Sequence, residues 1–193
     1  MTAESAQSVK GQSAAGSQQV RIAVLVILAI IVGVVLWLVL GNSKHNKPGH
    51  VKTNGIGPIA FTAKNLAAES RYINTNFYWA GPQQGKRYEF TRTTNGFLYV
   101  RYLPTTGVKV GNKSAHFLVV ATYPFVGAYS ALKKEAGSKA VAGPGGSIVY
   151  VRPHDRKSVL MAFPKANDQI EIYAPESAVA VATAESGKIK PVR

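Results

Sequence analysis

Tyr88-Glu89-Phe90-Thr91-Arg92-Thr93-Thr94-Asn95-Gly96-Phe97-Leu98-Tyr99-Val100-Arg101-Tyr102-Leu103 reads as two β-rich runs folded about an Asn-Gly pair. Aromatic and β-branched residues recur through 88–93 and 97–103, and Asn95-Gly96 suits a type I′ turn because both residues tolerate positive φ. The stretch therefore predicts an antiparallel hairpin. With a two-residue loop, Arg92 pairs with Tyr99, Phe90 with Arg101 and Tyr88 with Leu103, all on one face, while Leu98, Val100 and Tyr102 take the other.

Working outward, residues 116–123 predict a third strand. The period then changes over 124–136, where Phe125, Ala128, Tyr129, Leu132 and Ala136 share a helical face, Lys133 and Lys134 fall late, and Gly137 is a stop. A second set comes next, with strands at 147–152, 158–163 and 169–173 and a segment at 175–186 before Gly187. Tyr123 and Gly137 recur as Tyr173 and Gly187 at a separation of fifty, and Tyr99-Val100-Arg101 recurs as Tyr150-Val151-Arg152 with a one-residue slip. Residues 178–183 alternate Ala and Val as a strand would, but their place in this repeat predicts helix. Upstream, Thr62 is placed to cap a helix over 63–72, and 76–80 reads as a strand ended by Gly81-Pro82. The expected fold class is α+β: a β-β-β-α duplication with an α-β lead-in, forming an antiparallel sheet with helices on one face.

The valine side of that sheet is the one expected beneath the helices, since a buried arginine would need a partner that the pattern does not offer. Arg92, Tyr99, Arg101, Tyr150 and Arg152 are then expected on an open face. Such a platform can stack planar rings or sugars and fork onto phosphate or carboxylate, although tyrosine and arginine on exposed strands also cover each other by cation–π contact.

Residues 22–40 run nineteen positions without a charge. At about 1.5 Å of rise each they cover roughly 28 Å, enough to cross a bilayer, and they lack the polar positions of an ordinary amphipathic helix. The run is too long for the apolar core of a cleavable signal and ends in a poor cleavage site, so it reads as a single-pass signal anchor in contact with the lipid bilayer. Ala29 and Gly33 are small residues four apart within it. Residues 1–21 form a polar tail ending in Arg21, 41–58 a flexible basic linker, and 59–193 the folded domain. Flanking charges are nearly balanced, but Arg21 abutting the run favours a cytoplasmic N-terminus and an extracytoplasmic domain.

The chain has 23 Lys and Arg against 9 acids, and residues 50–193 hold 19 and 8 of these, a net +11. Such a domain should prefer anionic surroundings: an envelope polymer if it lies outside, nucleic acid only if it faces inward. Cysteine is absent, which excludes disulfides and thiolate chemistry. Of the four histidines, His45 and His50 fall in the linker without further ligands, His116 opens a strand and His154 sits in a turn beside Asp155. No nucleophile elbow, phosphate loop, zinc motif or dinucleotide fingerprint occurs. The Gly-rich stretches 81–85 and 143–146 contain proline and read as turns. Asp168, Glu171 and Glu176 form the best acid set, yet each already suits a turn, a strand and a helix start. No cofactor, metal site or catalytic residue is expected.

Phe77-Tyr78-Trp79-Ala80-Gly81-Pro82, Tyr88-Glu89-Phe90-Thr91-Arg92-Thr93 and Tyr99-Val100-Arg101-Tyr102-Leu103-Pro104 resemble segments of uncharacterised single-pass membrane proteins of high-GC Gram-positive bacteria. The resemblance extends over 62–191 and implies a bacterial envelope setting with an N-terminal anchor. The expected function is a membrane-anchored binding module for an anionic envelope polymer or partner; the alternative is a structural or regulatory subunit of a membrane protein complex.

Overall fold

Eight strands build one antiparallel sheet, and their order explains how the core is divided. The computed structural model describes residues 54–193, so the polar tail, the expected membrane span 22–40 and linker positions 41–53 lie outside the described residues. Among the described residues no helix is long and apolar enough to cross a membrane.

The chain forms β1 (Ile56–Phe61), α1 (Ala63–Tyr72), β2 (Tyr78–Trp79), β3 (Lys86–Arg92), β4 (Leu98–Pro104), β5 (Val119–Pro124), α2 (Ala128–Ala136), β6 (Val141–Ala142), β7 (Ile148–Val151), β8 (Ser158–Ala162), β9 (Asp168–Tyr173), α3 (Ser177–Glu185) and β10 (Lys190–Pro191). The sheet order is β1-β3-β4-β5-β9-β8-β7-β6, with β2 and β10 paired separately. An α+β domain with an antiparallel sheet is thus what the chain forms. β1 begins inside the stretch read as linker. It needs Gly57 at φ 88°, where an added Cβ would stand 2.4 Å from the Phe90 carbonyl oxygen. The Thr62 hydroxyl caps α1 by accepting from the Asn65 N–H at 3.2 Å, and 177–185 is helical, as its place before Gly187 predicts.

The two sets of strands meet at β5 and β9. There Val119 lies opposite Tyr173, Ala121 opposite Glu171 and Tyr123 opposite Gln169. Adding fifty to Val119 and Tyr123 gives Gln169 and Tyr173, so the interval between the two tyrosines matches a local two-fold centred on the Ala121–Glu171 pair. The Tyr-Val-Arg likeness does not obey that relation, because Tyr99–Arg101 lies on the second strand of its set and Tyr150 on the first strand of the other.

The helices are not on one face, which corrects the expectation. Phe90, Val100, Val120, Ile172, Val159 and Val151 form a continuous row across six strands. Together with Leu98, Met161 and Ile170, most of this row packs with Leu66 of α1 and with Ala180 and Ala184 of α3. Ala128, Leu132 and Ala136 of α2 pack on the opposite face, against Ile148, Tyr150, Leu160 and Ala162. Both faces carry apolar rows, so both must be covered.

The hairpin register also differs by one residue from the expected one. Arg92 lies opposite Leu98, Phe90 opposite Val100 and Glu89 opposite Arg101. Thr93 and Phe97 close a three-residue loop: the Thr93 N–H donates to the Phe97 carbonyl at 2.8 Å, and the Gly96 N–H to the Thr93 carbonyl at 3.0 Å. Gly96 takes φ 80°, the left-handed residue of a bulged loop, where a two-residue turn would need positive φ at Asn95 as well. A one-residue slip changes which side chains share a face.

Candidate functional site

That slip places Arg101 beside a carboxylate. Its guanidinium donates through Nη1 to Glu89 Oε1 at 2.5 Å and through Nη2 to the Ser114 carbonyl at 2.9 Å, and it lies over the Phe117 ring at 5.4 Å. The second Glu89 oxygen accepts from the Gly111 N–H at 2.6 Å. Arg87 donates to the Val108 carbonyl, and the Tyr173 hydroxyl to the Ala115 carbonyl at 3.0 Å. Residues 105–118, between β4 and β5, are thereby drawn across the first half of the face that α2 covers in the second half.

The expected open platform is therefore absent. Tyr99, Arg101, Tyr150 and Arg152 are all buried. Arg92 is half-buried on the opposite face, where it donates to the Asn54 carbonyl from Nε at 3.2 Å and from Nη2 at 3.0 Å. The partner that Arg101 was expected to lack is Glu89, and Glu171 stands 3.5 Å from Arg152. These five residues do not form one ligand surface.

A second polar cluster sits where the two sets of strands meet. The Tyr123 hydroxyl donates to Glu171 Oε2 at 2.8 Å, and Arg152 Nη2 reaches Asp155 Oδ2 at 3.3 Å. Among the described residues, six buried side-chain polar atoms lack a hydrogen-bond partner. Five are here: Tyr99 Oη, Arg152 Nε, Ser158 Oγ, Gln169 Nε2 and Glu171 Oε1. Burial raises the Glu171 carboxyl above its ordinary value, opposed by the neighbouring Ser158 and Tyr123 hydroxyls and by the Arg152 charge; Ser158 stands close to the carboxylate without the geometry of a formed hydrogen bond. Burial likewise raises the Tyr99 and Tyr123 phenols. Tyr99, Ser158, Gln169 and Glu171 are all at or below 3% exposure, while the Asp155 side chain at the edge of the cluster is 41% exposed.

Asp168, Glu171 and Glu176 do not converge: Asp168 opens β9, Glu171 is buried and Glu176 is exposed ahead of α3. His116 and His154 are exposed, and among the described residues no group of acids and histidines could hold a metal ion.

The exterior carries an unbalanced charge. Of the 18 Lys and Arg among residues 54–193, 14 are exposed; of the eight acids only Glu176 and Glu185 are. The ion pairs remove acids from the surface as well as arginines. The strand register also gathers the cations. β4, β7 and β9 end, and β5 and β8 begin, at one end of the sheet. Residues 105–118 and the β7–β8 turn rise there, and α2 returns there before β6. Lys86, Lys109, Lys113, Arg156 and Lys157 belong to that end, as do Lys133, Lys134 and Lys139 at the close of α2, which makes eight of the 14. The sequence carries the excess charge but not its gathering, which depends on long-range pairing.

The fold and surface define a class: an α+β domain with a closed interior and a cationic exterior. No protein family, curated relative or solved structure matches this chain.

Proposed function

We propose that this chain is a membrane-anchored binding module, held in a bacterial envelope by residues 22–40 with its domain outside, and that the cationic end docks an anionic envelope polymer. Among the described residues, the excess of 14 exposed cations over two exposed acids carries this reading. A field of one sign raises the local concentration of a polyanion and speeds its encounter with the surface. The four-plus-four strand order supports the further reading that the domain arose by duplication of a β-unit, with the helices taking different paths.

The test uses the full chain in nanodiscs of zwitterionic lipid, presented with a teichoic-acid-like polyphosphate polymer and with a neutral glucan. The reading expects retention on the polyphosphate alone, lost between about 0.1 M and 0.5 M salt as screening shortens the reach of the charges. Equal retention on both polymers would overturn it. Salt-insensitive co-purification of one defined membrane protein would move the assignment to a subunit of a complex. Protease shaving of intact cells tests the orientation, since an outward domain is removed and an inward one is protected.

A further inference from the structure

A cleft of about 340 Å³ opens between the end of α1 and the last residues of the chain, lined by Ser70, Arg71, Asn74, Thr75, Asn76, Val192 and Arg193. Its floor is fixed. The buried Ser70 hydroxyl donates to the Val192 carbonyl at 3.0 Å, and Asn74 takes φ 47° in the turn that leaves α1. This end of the molecule is not the cationic one: neighbouring β2 abuts Thr122 and Phe163, at the far ends of β5 and β8.

The choice of cation distinguishes the cleft. Among the described residues, eleven of the 14 exposed basic residues are lysines, and the exceptions are Arg71, Arg156 and Arg193. Of the other four arginines among the described residues, Arg101 and Arg152 are in ion pairs while Arg87 and Arg92 donate to backbone carbonyls. Two of the three exposed arginines therefore share one cleft, and neither makes a side-chain hydrogen bond or ion pair among the described residues. Lysines supply diffuse charge, whereas guanidinium forks supply directed pairs of donors that match oxyanion geometry. Arg71 in the last turn of α1 would suit the helix dipole alone, but that does not account for Arg193, Asn74 and Asn76 in the same lining.

We infer that this cleft is a second anion site, separate from the cationic end, and that it takes the phosphate group of a phosphate ester. Two guanidinium forks offer paired donors to more oxygens than a carboxylate presents, whereas the free oxygens of a phosphate monoester can meet both forks at once. The two asparagine amides add neutral donors for further phosphate oxygens, and the volume leaves room for the esterified alcohol. The phosphate can belong to a lipid headgroup or to a soluble or polymeric ester.

The test is calorimetric titration of the full chain in zwitterionic nanodiscs with glycerol phosphate, inorganic phosphate and acetate. The expected result is saturable binding of both phosphates without binding of acetate. R71A/R193A should weaken the phosphates by roughly tenfold or more, while K133A/K134A leaves them unchanged. R71K/R193K retains the charge, guards against misfolding of the alanine variant and should also weaken binding. Unaltered binding in R71K/R193K, or an equal loss in K133A/K134A, would overturn the inference. Repeating the titration in nanodiscs doped with phosphatidic acid separates the sources: competition that removes the glycerol phosphate signal assigns the site to a lipid headgroup, and an unchanged signal assigns it to a soluble or polymeric ester. Polymer retention with no saturable phosphate binding would defeat this site alone and leave the cationic end standing.

Discussion

Glu89 and Arg101 lie directly opposite each other on β3 and β4, with the guanidinium 2.5 Å from the carboxylate and both residues at 6% exposure or less. The pair joins the sheet to residues 105–118 through Gly111 and Ser114. Net attraction between the two is the smaller part of its value. The larger part is the penalty for breaking it, because a lone buried charge is costly whereas a missing pair is not. Arg101→Ala should destabilise the domain by about 3–5 kcal/mol, and Glu89→Gln/Arg101→Met by less than either single change. Urea unfolding of wild type, the two single variants and the double variant checks this, and an additive double variant would show that the two side chains are not coupled.

The position of most elements was legible in the sequence, and the identity of Arg101's partner was not. The Thr62 cap, the Asn95-Gly96 turn and the Gly187 stop are local signals that survive any tertiary arrangement. Register is different. Gly96 alone in the left-handed region gives a three-residue loop, Asn95 and Gly96 together give two, and the dipeptide is compatible with both. That single residue decides whether Arg101 meets Phe90 or Glu89. Arg152 was misplaced for a related reason: Glu171 reaches it from two strands away, and the cover provided by α2 depends on the path of the chain after β5, which periodicity does not encode.

Gly57 gives a prediction at the sheet edge. Its φ of 88° and the 2.4 Å approach of the Phe90 carbonyl oxygen leave no room for a Cβ. Gly57→Ala should cost about 1–3 kcal/mol and detach β1 before the rest of the sheet. Hydrogen exchange would then accelerate at amides of β1 and β3 while β8 and β9 stay protected. Uniform acceleration across the sheet would contradict a local role.

Glu171 makes stability depend on pH in a defined direction. Burial raises its carboxyl above the ordinary 4.5, and Glu135 and Asp168 shift the same way for the same reason. Between 4.5 and the raised value, the folded chain holds a proton that the unfolded chain has released. Stability contributed by Glu171 and Glu135 therefore falls as pH rises through that window and is constant below it, where both states are protonated, and the corresponding fall for Asp168 begins at its ordinary 3.8. Glu171→Gln retains an acceptor for Tyr123 and removes the titration. Its melting temperature should fall less than that of the wild type between pH 4.5 and neutrality, and parallel curves would show that Glu171 does not titrate in that window.

The two proposed anion sites should separate by salt. At the cationic end, attraction is the sum of eight dispersed charges, so it weakens continuously as ions screen them, over a reach of about 10 Å at 0.1 M. Replacing Lys133, Lys134, Arg156 and Lys157 with glutamine removes half of those eight residues and leaves the buried network untouched, since all four are exposed. The variant should lose most retention on polyphosphate and show a shallower dependence of the logarithm of affinity on the logarithm of salt. A paired fork in the cleft relies on directed hydrogen bonds as well as charge, so phosphate-ester binding through Arg71 and Arg193 should tolerate salt that abolishes polymer retention. Binding isotherms for polyphosphate and for glycerol phosphate, each measured on wild type and on the four-residue variant, decide the matter. If the variant alters both ligands in proportion, the surface acts as one diffuse field and the division into two sites is wrong.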